Sequence, residues 1–298
     1  MATCPPGLLY ITLTTKIMKT ILVPCDFSKT ALNAFSFALD VAERSEAVIH
    51  LVHVIDVPAV YDAAFVPAIP VDTTLYNDLE AKAEEEFRKI IDKHRSSGIH
   101  METKLAYGVP ETALLDYIQT AGIDVVIMGS HGARGLRELL IGSTAEKIIR
   151  HASVPVMVIK DKFLGSVRNI AFPNTLEPTL QDDLVEKVKT LQAFFKATLH
   201  LVYINTPVNF LDDSVTHERL NRFAQQHHLA NYTLNVYNHA DVEEGINQFV
   251  RETDAELIVM GTHGRTGLAH IVNGSLAEAV ANHTDRIIWT YTLKQDQG

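Results

Sequence analysis

The chain has 298 residues, 47% of them hydrophobic and 21% charged, with a formal net charge of −10. This is enough length for two ordinary domains and a globular composition, and the acidic balance argues against a general nucleic-acid binder, which needs a basic face against phosphates. Two cysteines, Cys4 and Cys25, are too few for a disulfide framework and fit a reducing cytosol, and no apolar run approaches the ~20 residues that cross a bilayer.

Residues 1–17 carry a short apolar patch with no Lys or Arg before it, unlike a secretory signal. They are expected to be a mobile upstream extension, with the fold starting at Met18. Residues 20–24 (TILVP) read as a buried strand. Ser28 is placed to cap a helix whose apolar stripe is Ala31, Ala34, Phe35, Ala38, Leu39 and Ala42, an amphipathic spacing. Residues 47–55 (AVIHLVHVI) suit a strand covered on both faces. A loop with three prolines, 58–74, precedes a long charged helix over 75–96, with Leu79, Phe87 and Ile91 inward and a stop at Gly98. A strand (101–107), a helix (110–121), a strand (124–129), a glycine-rich loop, a helix (143–151) and a strand (155–160) follow. This alternation implies a parallel sheet with helices on both faces.

The second half repeats the order. NIAFP (169–173) matches the first strand and LHLVYI (199–204) the second, and the glycine loop returns 132 positions later. A tandem duplication is the economical reading, with domains at 18–160 and 168–294 and a hinge over 161–168.

In both copies the glycine loop has the form G-x-x-G, nine residues, G-S: Gly129, Gly132, Gly142 and Ser143, then Gly261, Gly264, Gly274 and Ser275. Glycine lets backbone N–H groups approach a ligand and tolerates positive φ. The final Gly-Ser opens a helix, whose free amides and dipole favour an anion. A strand, a glycine loop and a helix start thus form a phosphate cradle at the carboxyl edge of a parallel sheet. The alternative is that these glycines only shape a tight connection and allow close helix–sheet packing. No Gly-Lys-Ser/Thr follows, so the loop is not a Walker A motif, and no G-x-G-x-x-G follows the first strand.

ILVPCDFS at the first strand, LVHVID at the second, YGVPETALLDYI at the third helix and IMGSHG…IGS at the loop occur in that order. Together they resemble the universal stress protein family, and the whole chain is similar to a tandem member of it. The resemblance implies two doubly wound α/β domains, Rossmann-like and adenine nucleotide alpha hydrolase-like, each with a five-stranded parallel sheet. It also implies ATP, with Mg²⁺ sharing the phosphate charge, as the ligand of the first copy. Carried over, Pro24 and Asp26 lie beside base and ribose, and Val54 meets the adenine through its backbone. Met128, Gly129 and Gly132 line the ribose and phosphates, and Gly142, Ser143 and Thr144 receive the phosphate chain. Pairing of the two fifth strands into an internal pseudo-dimer is implied as well, with a further homodimer left open. In the second copy Thr175 stands for Asp26, Asn174 for Cys25 and Ile204 for Val54. The nucleoside end there is altered, while Gly261, Gly264, Gly274 and Ser275 keep an anion site.

His131 and His263 lack an acid partner at an evident spacing and read equally as loop-ordering residues. His227 and His228 are adjacent and cannot share a helix face as a metal pair. Cys25 reads as a small buried filler rather than a redox sensor. Arg134 and Arg137 suit either phosphate contact or solvent, and Trp289 a core or inter-domain contact. No activated nucleophile or oriented general base is apparent. The expected function is therefore a cytoplasmic, ATP-binding, nucleotide-sensing stress-response module rather than a dedicated enzyme, without nucleic-acid or membrane partners. The alternatives are an ATP-dependent transferase or hydrolase using the same cleft, and an interaction module that binds no nucleotide.

Overall fold

A computed structural model describes residues 18–56, 73–132, 141–176, 181–263 and 273–293, without the side chains of residues 73, 263 and 273–275. The leader at 1–17, residues 58–72 of the proline-rich loop, Arg134, Arg137 and Gly264 lie outside the described residues, while residues 73 and 74, expected to close that loop, open a helix. The first half runs β1 (Thr20–Pro24), α1 (Lys29–Ser45), β2 (Val48–Ile55), α2 (Thr73–His94), β3 (Met101–Tyr107), α3 (Pro110–Thr120), β4 (Val125–Gly129), α4 (Ser143–His151) and β5 (Val156–Ile159). The second half repeats it as β6 (Asn169–Pro173), α5 (Asp182–Phe195), β7 (Thr198–Asn205), α6 (Asp213–Gln226), β8 (Tyr232–Asn238), α7 (Val242–Glu252), β9 (Leu257–His263), α8 (Asn273–His283) and β10 (Ile287–Leu293).

All ten strands form one sheet in the order β3-β2-β1-β4-β5-β10-β9-β6-β7-β8. Every pairing within a half is parallel, because each crossover returns through a helix. The halves meet where β5 and β10 pair antiparallel, with Met157 opposite Trp289. The implied pairing of the fifth strands is thus the join itself, and β3 and β8 are the outer edges.

One face of the sheet carries α1, α2, α5 and α6 over a single apolar cluster that crosses the join through Met157, Ile159, Trp289 and Tyr291. The other face has two clusters, one under α3 and α4 and one under α7 and α8. Helix α1 forms as its stripe requires: Ser28 caps it by accepting from the Ala31 amide at 3.2 Å, and Ala31, Ala34, Phe35 and Ala38 are buried. In α2 the packed stripe starts later than the spacing predicts. Ala83 and Phe87 are buried and Ile91 half-buried, whereas Leu79, one turn earlier, is 41% exposed. A 3-10 turn (Arg95–Ser97) and Gly98 at φ 70° end that helix. Among the described residues no helix is long and apolar enough to cross a membrane.

Candidate functional site

β1, β2 and β4 run parallel, so their carboxyl ends share one edge, where open α/β sheets bind ligands. The turn after β1 is knotted by its own side chains. The Cys25 amide donates to Val52 O at 2.8 Å, and Asp26 Oδ1 accepts from the Ser28 amide at 3.1 Å. Phe27 adopts φ 64°, a left-handed conformation that costs an L-residue about 1–2 kcal/mol. Its ring is held between His53 (centroids 4.8 Å apart) and Phe87 (5.3 Å). His53 donates from Nδ1 to the Cys25 carbonyl at 2.7 Å, which fixes the tautomer of the ring. Burial pushes the Cys25 thiol up to about 12, and the charge on Asp26 adds to the rise, against a backbone bond at Phe27. A thiol so held is protonated at neutral pH and inert, in keeping with the filler reading.

The three motif glycines of the first copy have different reasons to be glycine. At Gly129 a Cβ would stand 2.8 Å from the backbone carbon of Thr30 and 3.0 Å from the Ala31 nitrogen. Close packing of α1 on β4 therefore requires this glycine, with or without a ligand. At Gly132 a Cβ would stand 2.4 Å from Asp26 Oδ2. At Gly142 it would meet the His131 Cα at 3.3 Å, and the Gly142 amide donates to the Ser130 carbonyl at 2.7 Å. The two ends of the glycine loop are thus tied together, and the Thr30 hydroxyl donates to the His131 carbonyl and ties them to α1. Ser130 Oγ lies 2.9 Å from His131 Nδ1, so this ring is engaged in ordering the loop.

Gly142 is the N-cap of α4, extended at φ −70° and ψ 151°, and among the described residues no side chain caps the helix. Its carbonyl accepts from the Glu146 amide at 3.0 Å, so the amides of Ser143, Thr144 and Ala145 have no acceptor within the helix. An anion would satisfy them. By contrast, α7 is closed by Asp241, which accepts from the Glu244 amide at 3.0 Å. The Met128 side chain is buried in the core under α3 and α4, and Val54 packs on the same cluster. Both can offer a ligand little beyond their main chains. The structure brings Pro24, Asp26, Gly129, Gly132, Gly142, Ser143 and Thr144 to one edge around the ends of β1 and β4. Among the described residues no group of His, Cys, Asp and Glu could hold a metal ion, so Mg²⁺ would have to rely mainly on phosphate oxygens and water.

The second copy repeats the backbone and changes the chemistry. The Asn174 amide donates to Val202 O at 2.9 Å, and Leu176 adopts φ 61°, matching Cys25 and Phe27. The acceptor in the turn has moved back one residue: Asn174 Oδ1 takes the Leu176 amide at 2.7 Å, and Asn174 Nδ2 donates to Gln181 Oε1 at 2.6 Å. Both ends of that amide are engaged, and Thr175 is exposed. At Gly261 a Cβ would stand 2.9 Å from the Leu184 side chain rather than against helix backbone. β9 and β10 stay paired through His263 and Leu293, past the point where β4 and β5 separate. Residues 273–275 open α8. Thr30, Ser130 and Asn205 also tie loops, and no spacing in the sequence marks them, because their partners are set by the turn and by folding. Asn205, for example, accepts from the Leu211 amide at 3.0 Å and donates to Asn238 at 2.8 Å.

A family model for the universal stress protein family matches residues 18–160 and 168–286. A universal stress protein of Methanocaldococcus jannaschii is 29% identical over 146 residues, 48% of this chain and 83% of that one. One from Bacillus subtilis is 24% identical over 143 residues, covering 47% and 97%. Each such relative is therefore the size of one copy. The crystal structure of a universal stress protein from Archaeoglobus fulgidus matches with a TM-score of 0.74 at 17% identity, over 95% of this chain and 100% of that one. At that identity the likeness speaks for the fold.

Proposed function

The chain belongs to the universal stress protein family, and from that premise we propose that it is an ATP-binding sensor of the cytoplasmic stress response, with its working site in the first copy. The domains are taken as 18–160 and 168–294. The observation that carries the reading is the open N-terminus of α4, with Gly142 closed on Ser130 and no side-chain cap among the described residues. A triphosphate supplies the missing acceptors. Asp26, beside Gly132, accepts from ribose hydroxyls or base N–H groups. Mg²⁺ enters with the nucleotide and shares its charge. Ser130 bonds the adjacent His131 within the loop but is fully buried, so among the described residues this pair orders the turn rather than presenting a nucleophile, which favours sensing over turnover.

In the second copy the engaged Asn174 amide and the loss of the carboxylate favour an empty cradle or a small anion. The test is mass spectrometry of the ligand released from freshly purified, denatured chain, with calorimetry against Mg-ATP. About one ATP per chain is expected. A chain that carries no nucleotide and takes up none would defeat the reading and leave an interaction module in its place.

A further inference from the structure

The cradle of the first copy is gripped by the second. Ile141, immediately before the Gly142 N-cap, donates its amide to Asn282 Oδ1 at 2.7 Å. Asn282 lies in the last turn of α8. Its backbone carbonyl accepts from Lys160 Nζ at 2.7 Å, and burial lowers the pKa of that ammonium. The Ile141 side chain packs against both the cluster under α3 and α4 and the cluster under α7 and α8. Beside this contact Arg150 donates to Glu278 Oε1 from Nη2 (2.6 Å) and Nε (3.0 Å), joining α4 to α8.

We infer that Asn282 is a positioning residue for the first site, acting on the phosphate cradle through Ile141. A peptide unit is planar, so anchoring its N–H fixes the orientation of the whole unit. The Gly142 amide is anchored on Ser130 within the first copy. The preceding amide, that of Ile141, is anchored on Asn282. With two consecutive peptide planes held, the direction in which α4 starts is set, and with it the aim of the Ser143 and Thr144 amides. One of the two anchors belongs to the other domain. The helix that supplies it, α8, begins with the cradle of the second copy, so a displacement of α8 is transmitted to the first. The inference rests on the ATP reading for its effect on affinity, while the anchoring itself does not.

The test uses the full chain and three variants, with Mg-ATP calorimetry and hydrogen exchange at the Ile141 amide. Asn282→Ala removes Oδ1 and leaves the carbonyl that Lys160 uses. It should weaken ATP about three- to tenfold, the worth of one hydrogen bond, and speed exchange at Ile141 in the ligand-free chain. Asn282→Asp keeps an acceptor and should restore slow exchange. Glu278→Gln loosens the same interface away from Ile141 and should leave affinity and exchange within about twofold of the parent. Equal losses in Asn282→Ala and Glu278→Gln would reduce Asn282 to a generic interface residue and overturn the inference. Unchanged Ile141 exchange in Asn282→Ala overturns it whether or not ATP binds. A parent chain without ATP affinity, but with the exchange effect intact, defeats the functional reading alone.

Discussion

Asp26 and Gly132 touch: a Cβ on Gly132 would stand 2.4 Å from Asp26 Oδ2. The carboxylate that closes the turn after β1 therefore rests on the glycine loop after β4. The nucleoside and phosphate ends of the proposed site are thus in contact, so a change at either should be felt at the other.

Gly132→Val should abolish ATP binding for this reason. The new side chain has to displace Asp26 as well as fill the space beside the phosphates. The fold should persist, because Gly132 is exposed and belongs to none of the apolar clusters. Calorimetry showing parental ATP affinity would remove Gly132 from the site.

Gly129→Ala should behave differently. Its methyl group meets the backbone of Thr30 and Ala31 at 2.8–3.0 Å, atoms that cannot rotate away. Overpacking of this kind costs about 1–3 kcal/mol, read as a lower thermal midpoint with no nucleotide present. A variant of parental stability that has lost ATP would show that the ligand, not helix packing, demands this glycine.

The two sites should be unequal. Asp26→Asn keeps the oxygen that accepts from Ser28 but removes the charge, and should weaken ATP about ten- to hundredfold, the worth of a hydrogen bond to a charged group. Thr175→Ala should be silent. Two sites of equal affinity in a titration with a fluorescent ATP analogue would contradict this asymmetry.

Stability should fall on mild acidification. Burial lowers the pKa of His94, His200 and His227, outweighing the nearby charges of Glu256 on His200 and of Asp182 on His227. The unfolded chain then takes up protons near pH 6.5 that the folded chain resists. Their contribution is complete above about pH 6.5 and is lost as pH falls through the folded values. A second loss should come lower, as the Glu111 carboxylate, held below its usual range by Lys147, becomes protonated. Thermal melts from about pH 8 to 4 read both, and a flat profile would contradict the assignment.

Much of this was legible in the chain itself. Apolar runs and caps place β1, β3, β6 and α4 at their observed residues because those signals are local: a strand-length run, a Gly-Ser start, a Gly98 stop. The glycine spacing marks the loop but not its causes. Gly129 is explained by the Thr30 backbone and Gly132 by Asp26, both brought near only by folding. Alignment pairs Asp26 with Thr175, whereas the turn in the second copy uses Asn174, a shift visible only in hydrogen bonds. Leu79 fits the helical period and still faces solvent, since periodicity assigns a face and not the length of it that is covered. Nothing in the sequence links Asn282 to Ile141.

The antiparallel seam between β5 and β10 has a consequence for how this chain can change. In a dimer of identical subunits every substitution appears twice, so neither site can be altered without altering its mate. Here the mate is encoded separately and tethered at a fixed ratio of one to one. Asn174 can take over the turn, Tyr291 can bond Asp183, and the first copy keeps Asp26 throughout. Covalent fusion has turned a symmetric pair into a scaffold with two independently editable halves, in which one half is free to become the support of the other.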